Sequence, residues 1–374
     1  MIFTTRDVIL PPRCHLGGKM TSPLVKNNLQ IQNYFLRKSY FLQKKVRCPN
    51  FTTQILFPCF RFLFPPRDTN MKRQLLFITL FLSLGASAQK ADSIKLKNAT
   101  LYYYTYGSGE PIIILSGGPG IASHQEDDLA IALSKKYKAI LFDQRGTGKS
   151  WTVPFDSTTI NVSTAISDIE VLRKHLKIKQ LVISEHSWGA MLASAYTAKY
   201  PDNVKNLMLM GGGELSLDMT DIVNESIDVR FQLSDTTHFY YWNDSVNIKR
   251  EPEKARYENR KINWSLLSYD RSKLDKILEQ AEHGEYNKEM HRLMWNSWSA
   301  KNYKWIEQLR QRYNNKCLIV FGWQDPIAIT TLSSYIKAYP RATVKGINKC
   351  GHMLSVEQPE EFFKAVFDYL KSSK

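Results

Sequence analysis

The chain has 374 residues, of which 43% are hydrophobic and 23% charged, a composition that suits a globular protein with one large core or two modest domains. Its formal charge of +16 invites a nucleic-acid reading, but the distribution argues against one. Residues 1–70 hold 11 Lys and Arg against 2 acids, Lys72 and Arg73 follow, and only +5 is left for the remainder. A surplus that sits in a leader says little about the partners of a folded domain.

In chain order, Lys72 and Arg73 precede the apolar run Leu75 to Leu84 and the small-residue site Ala86-Ser87-Ala88. This is the pattern of a secretory signal peptide, expected over 71–88 with a mature start at Gln89. The run is shorter than the roughly 20 residues that cross a bilayer. No cysteine follows Ala88, so no lipid acceptor is expected, and the reading is export without a stable membrane anchor. Because a signal peptide works at an N-terminus, residues 1–70 read as a mis-assigned translation start. The competing reading is a basic, aromatic extension whose Arg37-Lys38 and Lys44-Lys45 pairs touch acidic surfaces. Three of the five cysteines lie in that leader. Cys317 and Cys350 are placed at opposite edges of a parallel sheet, too far apart for a disulfide, and are expected to be free or buried.

From Ile94 to Tyr106 weak alternation and tyrosines predict an edge hairpin. Pro111 to Leu115, Ala139 to Phe142, Leu181 to Ile183 and Leu207 to Met210 are apolar runs of the kind found in strands buried on both faces. Between them, Gln125 to Tyr137 and Val162 to Leu176 read as helices, the second with the stripe Val162, Ile166, Ile169, Leu172 and Leu176. Strand and helix alternate, which implies a doubly wound α/β sheet. The alternation stops after Gly211-Gly212-Gly213. Residues 215–315 are charged, helical in pattern and hold five of the eight tryptophans, which reads as an inserted helical cap. The core is then expected over 89–214 and 316–374, resuming with a strand at Cys317 to Phe321, a helix at Thr331 to Tyr339, a strand at Thr343 to Ile347 and a closing helix at Glu360 to Leu370.

The elbow at Ser187 and three loops at the carboxyl ends of strands carry reactive residue types, and ligands of open α/β sheets bind at that edge. In Glu185-His186-Ser187-Trp188-Gly189 a strand turns abruptly into a helix of small residues, which lifts Ser187 to where a base can reach it. Gly189 meets the demand for a tiny residue on the helix side, but Glu185 stands where glycine is usual. Ser116-Gly117-Gly118-Pro119-Gly120 offers bare backbone, so the N–H groups of Gly118 and Trp188 are expected to form an oxyanion hole. Asp325 follows the strand ending at Phe321, and His352 follows the last strand. The order Ser, Asp, His assigns Ser187 as nucleophile, His352 as its base and Asp325 as the residue that orients the imidazole. His186 is expected to point away from Ser187, His124 to stand beside the pocket, and His175, His238, His283 and His291 to lie in helices or cap. No Cys or His pair has metal-ligand spacing, and Gln144 to Ser150 lacks the spacing of a phosphate loop, so neither a metal nor another cofactor is expected.

Taken together, these motifs resemble the prolyl aminopeptidase (proline iminopeptidase) branch of the α/β-hydrolases. The matching pieces are Ser116 to Gly120, Asp143 to Ser150, Asp168-Ile169-Glu170 with Leu172-Arg173, Ser187-Trp188-Gly189 and Gly351-His352. The resemblance implies an α/β-hydrolase fold and a serine peptidase that releases an N-terminal residue, typically proline, from short peptides. Ser116 replaces the family's histidine and Glu185 its elbow glycine. In the cap the family's W-x-x-W-E becomes Trp295-Asn296-Ser297-Trp298-Ser299, which keeps the tryptophans and loses the acid that holds a substrate amine. Trp295 and Trp298 are expected to contact substrate, and Glu185 and Glu214 are the acids available to replace the missing one. An esterase or amidase for small hydrophobic acyl substrates is the second reading, and a non-catalytic binding protein on the same fold the third. The expected partner is a small molecule or short peptide.

Overall fold

The apolar runs build the middle of one nine-stranded sheet. The computed structural model describes residues 89–299 and 304–373; the expected leader 1–70 and signal segment 71–88 lie outside the described residues. In chain order the strands are β1 (Lys90–Lys95), β2 (Ala99–Tyr106), β3 (Pro111–Leu115), β4 (Lys138–Phe142), β5 (Trp151–Thr152), β6 (Leu181–His186), β7 (Val204–Met210), β8 (Lys316–Gly322) and β9 (Thr343–Ile347). Their spatial order is β1-β2-β4-β3-β6-β7-β8-β9, with β5 paired to β2. β1, β2 and β4 pair antiparallel, and from β4 through β9 every pairing is parallel.

Burial follows from that topology. β3, β6, β7 and β8 lie inside the sheet with helices on both faces, so Ile112 to Leu115 and Leu181 to His186 are buried without alternation, as parallel strands require. The edge strands β1 and β9 are mostly exposed. The helices between β3 and β7 are α1 (Asp127–Ser134), α2 (Val162–His175) and α3 (Trp188–Lys199). α2 opens on Asn161, whose side chain accepts the Thr164 N–H at 2.9 Å, an N-cap bond. Its predicted stripe packs inward at Val162, Ile166, Ile169 and Leu172, with Leu176 partly buried. α3 is buried from Trp188 through Ala198. A helix buried on all sides has no polar face to declare, and its alanines allow it to run close across the sheet.

Between β7 and β8 come the helices α4 (Thr220–Asp228), α5 (Leu233–Asn243), α6 (Ser245–Arg250), α7 (Pro252–Leu267), α8 (Leu274–His283), α9 (Lys288–Ser299) and α10 (Trp305–Arg312). α11 (Ala328–Ala338), α12 (Leu354–Glu357) and α13 (Pro359–Ser372) complete the core. Two apolar layers sandwich the sheet. One is centred on α2, α3 and the inward residues Ile113, Ile183, Leu209 and Ile319, the other on α1, α13 and Ile112, Val182, Met208 and Val320. The cap is not a separate body, because Met290, Trp298 and Leu309 from its helices belong to the first layer. Cys317 and Cys350 are both free and buried.

Candidate active site

Ser187 sits between the end of β6 and the start of α3 with φ 57 and ψ −114. A positive φ is uncommon for a residue with a side chain, and such strain persists only where the surroundings enforce it. Ser187 N–H donates to the Met210 carbonyl at 2.9 Å, and its own carbonyl accepts from Ala190 at 3.1 Å and Gly213 at 3.3 Å. The turn is tight because Gly189 has no side chain: a Cβ there would lie 2.7 Å from the Leu115 carbonyl oxygen and 3.0 Å from Glu185 Cβ. Trp188 begins α3, so its backbone N–H is among those a helix leaves without an intrahelical acceptor. Over the elbow lies the glycine loop, where a Cβ on Gly117 would be 3.4 Å from Ser187 Cβ. Gly118 follows with φ 114 and a cis bond to Pro119. Ser116 holds this loop, donating from its hydroxyl to the Ile121 carbonyl at 2.8 Å.

Asp325 and His352 meet. His352 Nδ1 donates to Asp325 Oδ2 at 2.8 Å with both side chains buried, which leaves Nε2 as the nitrogen open to a reacting group. The other oxygen of Asp325 accepts from the N–H groups of Ile327 at 2.9 Å and Ala328 at 3.2 Å. One carboxylate therefore orients the imidazole and secures the turn into α11. The His352 N–H donates to the Leu267 carbonyl at 2.9 Å, at the end of α7. Glu357 accepts from Gly351 N–H at 3.0 Å, Tyr269 N–H at 2.8 Å and Asp270 N–H at 3.1 Å. The His352 loop is thus fastened to the cap as well as to the core.

The expectation that Glu185 could meet a substrate gives way. Leu181, Ile183 and Glu185 alternate onto the layer beneath α3, where Glu185 is 0% exposed and neither carboxyl oxygen has a hydrogen-bond partner. Burial pushes its carboxyl far above the usual carboxylate range, and its charge would fall on Cys317 and Tyr335. Trp298 is likewise core: it is buried, edge-on to Trp188 at 5.4 Å and 6.3 Å from Trp305. Trp295 is partly buried, 6.4 Å from Trp188 and stacked on His291 at 6.3 Å. Glu214 directly follows Gly213, whose N–H donates to the Ser187 carbonyl. It accepts from the Thr220 hydroxyl at 2.5 Å, and burial raises its carboxyl against that bond.

The structure adds several contacts around the site. His186 does not turn away from the chemistry. Its Nε2 donates to the His352 carbonyl at 2.8 Å and the two rings lie 4.6 Å apart. Glu126 Oε1 stands 3.8 Å from His186 Nδ1; burial, then Asp128 and Asp127, push its carboxyl up to about 8. Burial, reinforced by His352, pulls His186 down to about 3. His291 reaches from the cap to donate to the Pro119 carbonyl at 3.0 Å. His124 bonds Asp127 at 3.1 Å and packs on Tyr104. Gln144 links the glycine loop to the elbow, donating to the Ser116 carbonyl at 3.1 Å and accepting from Trp188 Nε1 at 3.0 Å. The segment around it is a scaffold: Arg145 forms a buried bidentate pair with Asp168 at 2.6 and 2.8 Å, the strong geometry for an Arg and carboxylate pair. Among the described residues no cluster of three His, Cys, Asp or Glu side chains could hold a metal ion.

A sheet turning parallel after β4, a serine on a strained strand-to-helix elbow, and an Asp and His pair on the loops after the last two strands define an α/β hydrolase. The chain matches the family model for the alpha/beta hydrolase fold over residues 110–359 and belongs to that family. Within it the sequence is prolyl aminopeptidase-like. It is 26% identical over 287 residues to a proline iminopeptidase of Heyndrickxia coagulans, covering 71% of this chain and 92% of that one. A proline iminopeptidase of Arabidopsis thaliana is 39% identical over 115 residues, 30% of each chain. Among solved structures, an alpha/beta fold family hydrolase from Bacillus anthracis superposes with a TM-score of 0.59 at 19% identity, covering 75% of this chain and 99% of that one. A proline iminopeptidase-related protein from Thermus thermophilus gives 0.58 at 18% identity, covering 76% and 98%. At such identities these two structures speak to the fold alone.

Proposed function

We propose that the protein is an exported serine hydrolase that works through an acyl-enzyme on Ser187 and releases N-terminal residues, foremost proline, from short peptides. The observation that carries the reading is the buried His352 and Asp325 pair, with Nδ1 occupied, Nε2 open and Ser187 on the elbow. In this mechanism His352 Nε2 takes the proton of Ser187 Oγ as the oxygen attacks the scissile carbonyl. Asp325 holds the imidazole in the required tautomer and stabilises the imidazolium. The backbone N–H groups of Gly118 and Trp188 receive the oxyanion. Collapse of the tetrahedral intermediate breaks the bond to the leaving amine, which takes the proton from His352. Water, deprotonated by the same imidazole, then hydrolyses the ester and frees Ser187.

The finer assignment of an aminopeptidase needs an anchor for a free amine. With Ser299 where the family's cap acid stands and Glu185 in the core, Glu214 is the acid best placed to serve. A cation beside it would offset the burial of its charge, and removing one partner of a buried pair costs about 3 to 5 kcal/mol. The supporting result is that Glu214→Gln raises KM for amino-acid amides and short peptides and leaves ester substrates unchanged. Equal loss on both classes, or none on either, removes the amine anchor and favours the second reading, an esterase or amidase for small hydrophobic acyl groups. Labelling by a fluorophosphonate tests the shared step: an unlabelled Ser187 in folded protein would leave a non-catalytic binding protein.

A further inference from the structure

His186 precedes the nucleophile, and its side chain is the part of the elbow that reaches the base loop. Its Nε2 lies 2.8 Å from the carbonyl oxygen of His352. A carbonyl can only accept, so Nε2 carries the hydrogen and, in the neutral ring, Nδ1 holds the lone pair. That lone pair faces Glu126 Oε1 at 3.8 Å, beyond direct hydrogen-bond range. The ring has been given room on two more sides. A Cβ on Gly211 would come within 3.3 Å of His186 Cδ2 and Nε2 and within 3.4 Å of Asp325 Oδ2, and one on Gly117 within 3.5 Å of His186 Nδ1. One imidazole thus stands among the glycine loop, the turn after β7, the loop of Asp325 and the loop of His352. The His352 backbone is pinned on both sides, its N–H by the Leu267 carbonyl and its carbonyl by His186.

We propose that His186 is a positioning residue, a strut from the strand that carries Ser187 to the backbone of His352, fixing the base relative to the nucleophile. It acts through His352 and touches no reacting atom. Burial keeps both groups neutral near pH 7, with His186 depressed to about 3 and Glu126 raised to about 8. The strut is therefore a neutral donor whose loss leaves no charge behind. This role rests on the serine-hydrolase reading above.

The test compares His186→Ala, His186→Phe and His186→Gln with the wild-type chain by the second-order rate of fluorophosphonate labelling at Ser187, and by kcat and KM on the best substrate. A misplacement of about 1 Å costs up to about 100-fold. Labelling and kcat are therefore expected to fall about 10- to 100-fold in the Ala and Phe variants with KM held, and to recover in Gln, whose amide N–H can donate. A Phe variant as fast as wild type would reduce His186 to a space-filler and overturn the proposal, as would a folded Gln variant as slow as Phe. A reading independent of any variant is the imidazole ¹⁵N spectrum of the wild-type protein. His186 is expected as the Nε2–H tautomer, and an Nδ1–H tautomer overturns the strut. Failure of wild-type Ser187 to label would instead strike the serine-hydrolase reading, and the tautomer would still show whether the strut exists.

Discussion

Arg230, in the turn between α4 and α5, donates from Nη1 to the carbonyl of Gln324 at 2.9 Å, on the residue immediately before Asp325. Its Nη2 donates to the Ser268 carbonyl at 2.6 Å. A cap side chain therefore holds the loop of Asp325 and the end of α7 at once. Burial lowers the Arg230 guanidinium from its ordinary value, while Asp325 and Glu357 oppose that shift. Arg230→Met keeps much of the aliphatic stem and loses both bonds, leaving two carbonyls to find water. The expected cost is about 2 to 3 kcal/mol of stability, measured by urea denaturation, with kcat falling more than KM rises. An unchanged kcat would mean that the acid loop holds itself.

Ser187→Ala and His352→Ala are expected to abolish acyl-enzyme formation, and Asp325→Asn to leave a small residue of activity. The first two remove the nucleophile and its base; the third leaves both with the wrong tautomer favoured. Mass spectrometry of protein mixed with a slow ester reads the intermediate directly. A fully active Asp325→Asn would require a different acid behind His352.

Glu185 is expected to cost stability and to contribute nothing to turnover. Both its oxygens are buried without a partner, and a buried polar group left unpaired costs about 1 to 3 kcal/mol. Glu185→Met keeps the unbranched shape and should raise the unfolding free energy by an amount in that range at unchanged kcat and KM. A destabilised variant would show that the carboxyl is paired in solution, for instance through an internal water.

The pH dependence of stability should carry the mark of Glu126. Its folded value of about 8 lies above the ordinary carboxylate value, so between the two the folded state binds more protons than the unfolded one. Stability from this group is complete below the ordinary value and is lost as pH rises toward 8. His186 runs the other way: its folded value of about 3 makes its contribution complete above its ordinary value and lost as pH falls toward 3. Glu126→Gln should flatten the alkaline decline and leave the acid limb in place. Chemical denaturation at pH 5, 7 and 9 checks this, and an unchanged alkaline slope would point to another buried carboxyl such as Glu185.

The proposed export predicts that the mature chain begins at Gln89. N-terminal sequencing of protein recovered outside the cytoplasm decides it, and recovery there of a chain retaining residues 1–70 would refute the signal peptide.

The strands were legible because each central one is a short apolar run, and burial on both faces permits little else. The elbow was legible because a nucleophile on a tight turn demands Gly189. Its environment was not. The apolar run stops at Ile183, whereas the strand continues to His186 and sends Glu185 and His186 to opposite faces. Polar residues in a strand interior give no sign of burial, because packing of distant helices decides it. Trp298 shows the same limit: in a cap helix rich in charge its depth depends on Trp188 and Trp305, not on its own periodicity. The ties from Arg230 to Gln324 and from Glu357 to Tyr269 join residues far apart in sequence by backbone groups, which no side-chain pattern announces.

Leu267, at the last turn of the cap's longest helix, accepts the N–H of His352, and the two residues after Ser268 donate to Glu357 beside it. For protein engineering this sets a boundary. A chimaera that trades the whole insertion for that of another hydrolase would change substrate preference and detune the base together. Exchange that keeps Arg230 and the stretch from Leu267 to Asp270 would let specificity be redesigned on an intact proton-transfer apparatus.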